Sequence, residues 1–148
     1  MLMVPNCLLP MFVALIASAT LATSGASFAQ SMSVSPTKLE VSAPSNQTVL
    51  IIKAGGATIS VVQARVMAWN ENDDPAKMTL TRNVVISPPA AQLKPGQELS
   101  LRIVRVAKNP VVKKECYRVL IDRLPGTERT GKGIKLQIRH SIPLCFMP

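Results

Sequence analysis

From residue 134 to residue 146 every even position except His140 is apolar: Ile134, Leu136, Ile138, Ile142, Leu144 and Phe146. The odd positions from 135 to 141 are Lys135, Gln137, Arg139 and Ser141. A repeat of two is the repeat of a β-strand, so this stretch has one apolar face and one wet face. A helix returns to the same side every three or four residues and cannot hold that pattern. A strand at the end of a chain often forms a sheet edge, where another chain can complete its backbone donors and acceptors.

Shorter versions of the same signal run back along the chain. Residues 32–41 read as extended but are interrupted by Pro36, which suits an edge strand that bends or changes sheet. Thr48-Val49-Leu50-Ile51-Ile52 is a nearly continuous apolar run, the pattern of a buried strand, and Gly55-Gly56 turns it. Between 59 and 69, Ile59, Val61, Gln63, Arg65, Met67 and Trp69 point one way and Ser60, Val62, Ala64, Val66 and Ala68 the other, as expected of a central strand. Residues 78–86 give the next strand, stopped by Pro88-Pro89, and Pro95-Gly96 is placed as a type II turn requires. Leu99, Leu101, Ile103 and Val106 form one strand, and Tyr117, Val119 and Ile121 another. Residues 124–133, with Pro125, Gly126, Gly131 and Gly133, connect into the last strand. Roughly seven strands with a turn every ~8–12 residues predict an all-β, immunoglobulin-like seven-stranded sandwich. The single Trp69 is expected in its core.

Composition bears on where such a domain works. Residues 1–29 carry no Lys, Arg, Asp, Glu or His, and residues 11–22 are an apolar run broken only by Ser18 and Thr20. Ser27-Phe28-Ala29 then supplies small residues around a cleavage point. We read residues 1–29 as a secretory signal peptide cut after Ala29, and residues 30–148 as one domain. The apolar stretch falls short of the ~20 residues that a membrane span needs. Cys116 and Cys145 remain after the signal, an even count that permits one disulfide in an oxidising compartment.

Several chemistries are absent. Two cysteines and His140 are too few for a structural zinc site, and no nucleophile–base motif appears, so no metal, cofactor, small-molecule substrate or enzymatic activity is expected. The net charge of +9 is spread from Lys38 to Arg139, with only Lys113-Lys114 adjacent. Trp69, Tyr117 and Phe146 are the only aromatics after residue 29, so nucleic acid is not the expected partner. Residues 126–133 match a phosphate-binding loop except at Gly133, where Ser or Thr should hold magnesium, and a strand rather than a helix follows.

Taken together, four stretches resemble the N-terminal domain of PapD-like periplasmic pilus chaperones. They are residues 68–72; residues 87–102 with Pro88-Pro89 and Pro95-Gly96; residues 117–125; and residues 139–144, the last two most similar to the archaic, Csu-type branch. The resemblance covers nearly all of residues 32–146. It implies a non-enzymatic periplasmic chaperone that stabilises pilus (fimbrial) subunits by lending them a strand and delivers them to an outer-membrane usher. It places the lent residues on Ile134, Leu136 and Ile138, with Ile142 and Leu144 facing the chaperone's own core. It also implies basic anchors for the subunit's terminal carboxylate, here Lys38 and Arg118 with Arg139 in reserve. Pro143 stands where the better-known branch has a Lys. Family members continue into a second sandwich domain, whereas the resemblance here ends at Met147-Pro148. A strand-receiving pilus or adhesive module, and a truncated chaperone remnant, are the other two readings.

Overall fold

Ten strands run through the residues that the computed structural model describes, 31–70, 74, 77–124 and 137–148. They are β1 (Met32–Ser35), β2 (Leu39–Ser42), β3 (Gln47–Ala54), β4 (Ser60–Ala68), β5 (Thr79–Leu80), β6 (Val84–Ser87), β7 (Ala90–Leu93), β8 (Glu98–Arg105), β9 (Glu115–Leu124) and β10 (Arg139–Met147). The first sheet has the order β1-β3-β8-β6 and is antiparallel throughout. The second has the order β2-β10-β9-β4-β5, with β7 also paired to β4, and only its β2–β10 pair is parallel. The result is an all-β, immunoglobulin-like sandwich.

The core is the sum of the alternations. Leu50 and Ile52 of β3 and Leu101 and Ile103 of β8 meet Val62, Val119, Ile121, Leu144 and Phe146 of the second sheet, all 1% exposed or less. Tyr117 packs edge-on to Phe146, ring centroids 6.1 Å apart. Pro36 lies between β1 in the first sheet and β2 in the second, so the opening extended segment does change sheet. At the Pro95-Gly96 turn, Gly96 has φ of +74°, a conformation open to glycine without strain, and Gln97 N donates to Lys94 O at 3.0 Å. Gly55 allows a close approach: its N donates to Ser31 O at 2.8 Å, and a Cβ there would overlap the Ser31 hydroxyl.

Four sequence expectations are corrected. The run at 48–52 is not buried on both faces, because only one side of the first sheet meets the core and Val49 and Ile51 lie 49% and 42% exposed on the other. Trp69 is absent from the core. It follows β4 on the parity of Arg65 and Met67, outside the second sheet. The strand expected over 78–86 is two short pieces, β5 and β6, belonging to different sheets. Val106 lies beyond β8 and is exposed, while the inward position after Ile103 belongs to Arg105. That guanidinium is 6% exposed and is satisfied by both Glu115 carboxylate oxygens (2.9 and 3.0 Å) and by the carbonyls of Ala107 and Asn109.

Candidate functional site

Strand β10 is held differently along its two halves. It pairs antiparallel with β9 from Arg139 opposite Asp122 to Phe146 opposite Glu115. On its other side β2 pairs only from Leu144 opposite Leu39 to Met147 opposite Ser42. Ahead of Leu144, β10 has no strand neighbour on that side among the described residues. Inward from it point Ile142 and Leu144, both in the core, and the half-buried His140, whose Nε2 has no hydrogen-bond partner.

Ladder parity shows which backbone groups face that open side. Arg123 N donates to Ile138 O at 3.1 Å, which makes Arg139–Asp122 a non-hydrogen-bonded pair. Arg139, Ser141, Pro143 and Cys145 share that parity, so their backbone polar groups point away from β9. Pro143 therefore removes no N–H from the β9 ladder, which explains how a proline sits inside this strand.

The outer face of the β9–β10 pair carries three side-chain ties. Cys116 and Cys145, directly opposed, form a disulfide with Cα atoms 4.2 Å apart. Asp122 accepts from Arg139 of β10 (Nε, 2.5 Å; Nη2, 3.3 Å) and from Arg65 of β4 (Nη2, 2.6 Å). Burial alone would push the Asp122 carboxyl up, but the two guanidiniums outweigh it and hold that carboxyl below the usual carboxylate range. Third, the Arg118 guanidinium stacks on the Trp69 ring, 4.1 Å from its centroid.

These contacts locate the residues singled out in the sequence. Ile134 and Leu136 lie outside the described residues, as do residues 1–29 and the connection over 125–136. Ile138 is half-buried and immediately precedes β10. Lys38 is exposed, bonded to Glu40 at 2.7 Å. It stands one residue before the Leu39–Leu144 pair, as Pro143 does on β10, and Arg118 lies opposite Pro143 on β9. Lys38 and Arg118 thus sit to either side of Pro143 on the outer face. Arg118 has no carboxylate partner among the described residues, and the Trp69 Nε1 beneath it is buried without an acceptor. Arg139 is tied to Asp122 further along the same strands, at the pair that opens β10.

The role of Asp122 was not visible in the sequence, because its partners stand 57 and 17 residues away. Two surface depressions, of about 470 and 380 Å³, are lined by Ser45, Gln47, Thr48, Val49 and Arg102 and by residues around Ser31 and Gly55, away from β10.

The fold is an immunoglobulin-like sandwich in which β2 flanks β10 along only its second half among the described residues. The sequence profile of the pili and flagellar-assembly chaperone, PapD N-terminal domain, matches residues 31–148, and the chain belongs to that family. Among solved structures it is similar to a chain of the CsuC–CsuE chaperone–tip adhesion subunit pre-assembly complex of archaic chaperone-usher Csu pili of Acinetobacter baumannii. That chain is 27% identical with a TM-score of 0.66, and the match covers 79% of this chain and 56% of that one. A chain of the Salmonella enterica SafA pilin–SafB chaperone complex (23%, TM-score 0.66, 80% and 54% covered) and the Pseudomonas aeruginosa CupB2 chaperone (19%, TM-score 0.60, 78% and 55% covered) share the fold. The chain thus spans little more than half the length of these relatives. No curated protein matches the sequence.

Proposed function

We propose that this chain is a periplasmic assembly chaperone that binds pilus subunits by donor-strand complementation. The observation that carries the proposal is the open side of β10 ahead of Leu144, continuous with Ile138 and with the alternating residues before it. A subunit sandwich lacking a strand offers a hydrophobic groove and unpaired edges. The segment leading into β10 supplies the missing strand, with Ile134, Leu136 and Ile138 filling the groove. Each aliphatic side chain buried there is worth roughly 1.5–3 kcal/mol before ordering costs. Each main-chain hydrogen bond along the edge adds ~1 kcal/mol.

Lys38 and Arg118 are the proposed seats for the subunit's terminal carboxylate. Arg118 is the stronger, since its guanidinium lies over the Trp69 ring and a carboxylate there would meet a fork of donors. Residues 1–29 would direct export, and an outer-membrane usher would receive the loaded subunit. The CsuC–CsuE and SafA–SafB complexes, each a chaperone with its subunit, support the class of partner.

The test is Leu136→Asp, co-expressed with an archaic-type pilus subunit. Loss of subunit co-purification with an unchanged melting curve is the expected result. Unfolding of the domain would place the apolar face in the chain's own core and overturn the proposal. Self-polymerisation of the purified chain would instead identify a module that receives a strand.

A further inference from the structure

Strand donation depends on which way the lent residues face. A one-residue slip of β10 against β9 would turn every side chain at its leading end to the opposite side of the sheet. The disulfide fixes the register at Cys145 but not at Arg139, because a single bulge between them would leave the covalent bond intact and invert Arg139 and all that precedes it. Something else must hold the leading end.

Asp122 stands where such a device is needed. By alternation with Val119 and Ile121 it projects from the outer face of the second sheet, where a carboxylate would ordinarily be wet. It is instead 2% exposed, closed over by Arg139 of β10 and Arg65 of β4. Arg139 reaches both carboxylate oxygens, while Arg65, which registers with Leu120, crosses diagonally to one of them. One carboxylate therefore joins the strands at the first described pair of β10, beside the Arg123–Ile138 hydrogen bond. In a slipped register Arg139 would stand opposite the inward parity of Ile121 or Arg123, and Asp122 would keep only Arg65.

The geometry points to Asp122 as a positioning residue for strand donation: through Arg139 it sets the register of β10, and so keeps Ile138 on the face that enters a subunit's groove. This inference rests on the chaperone reading for its purpose, but not for its geometry.

The experiment uses the secreted full chain with its disulfide formed. In a non-hydrogen-bonded antiparallel pair the two Hα atoms are in close contact, so NMR cross-peaks between 139 and 122 and between 145 and 116 report the two ends separately. Asp122→Asn, which keeps shape and removes charge, is expected to abolish the 139–122 cross-peak and keep the 145–116 one. Asp122→Glu should restore the first. Arg139→Gln leaves Asp122 paired to Arg65, and should give the same loss if Asp122→Asn proves too unstable to study. Retention of an archaic-type pilus subunit should fall about tenfold or more in Asp122→Asn and recover in Asp122→Glu. A 139–122 cross-peak that persists in Asp122→Asn, or in Arg139→Gln where the first variant unfolds, overturns the inference. If the unaltered chain retains no subunit, the chaperone reading fails while the register measurement still decides the role of Asp122.

Discussion

The two halves of β10 belong to one strand and one ladder, yet they are secured in different currencies. From Leu144 onward the strand is interior: β9 on one side, β2 on the other, Leu144 and Phe146 in the core, and a covalent bond at Cys145. From Arg139 to Pro143 one side has no strand neighbour among the described residues, Arg139 and Ser141 are exposed, and the tie is ionic. The contrast teaches where stability and function separate. Substitutions at the inward positions Ile142, Leu144 and Phe146 should damage folding, and substitutions at the outward positions of the first half should damage what the strand does for a partner.

Leu144→Ala would break that division if it were mild. It should be the costliest change, about 2–5 kcal/mol in urea unfolding, because it opens a cavity between packed sheets. Replacing Cys116 and Cys145 together by Ala should cost about 2–4 kcal/mol while leaving the core contacts intact. A pH titration separates the halves by a different route. Asp122 titrates lower in the folded chain than unfolded, so its contribution is fully present above the unfolded value of about 3.9 and is lost as pH falls through the folded value. Melting curves taken downward from pH 5 should therefore lose stability, less steeply in Asp122→Asn. Glu115, held low by Arg105, titrates in the same direction in both proteins and sets the common background. The smallest effect belongs to Lys38→Gln, whose solvent-screened pair with Glu40 should leave the urea midpoint essentially unchanged. A large loss there would mean that the outer face is structural rather than a place for a carboxylate.

Periodicity made the sandwich legible. The faces of β4, β9 and β10, the turn at Gly96 and the change of sheet at Pro36 all follow from residue type and spacing. What failed were inferences that hydrophobicity alone means burial. Val49 and Ile51 look like core residues, but a sheet covered on one side buries only alternate positions. Trp69 is large and apolar, yet it lies outside the second sheet, where an arginine covers its ring. Arg105 and Asp122 were missed for the opposite reason. Their burial depends on partners that only tertiary structure brings near, and nothing in a local window distinguishes them from surface charges. The strand edge and the possible Cys116–Cys145 bond were thus visible in the sequence, and the ionic tie at Asp122 was not.

Pro143 has a consequence for any strand that adds to this edge. Its nitrogen faces the open side and carries no hydrogen, one residue before β2 takes over. A visiting strand can draw donors from Arg139 and Ser141, and then meets a blank rung. On the proposed reading, that rung would divide the edge between guest and resident, and the proline would act as a length gauge ahead of the stretch that β2 already occupies.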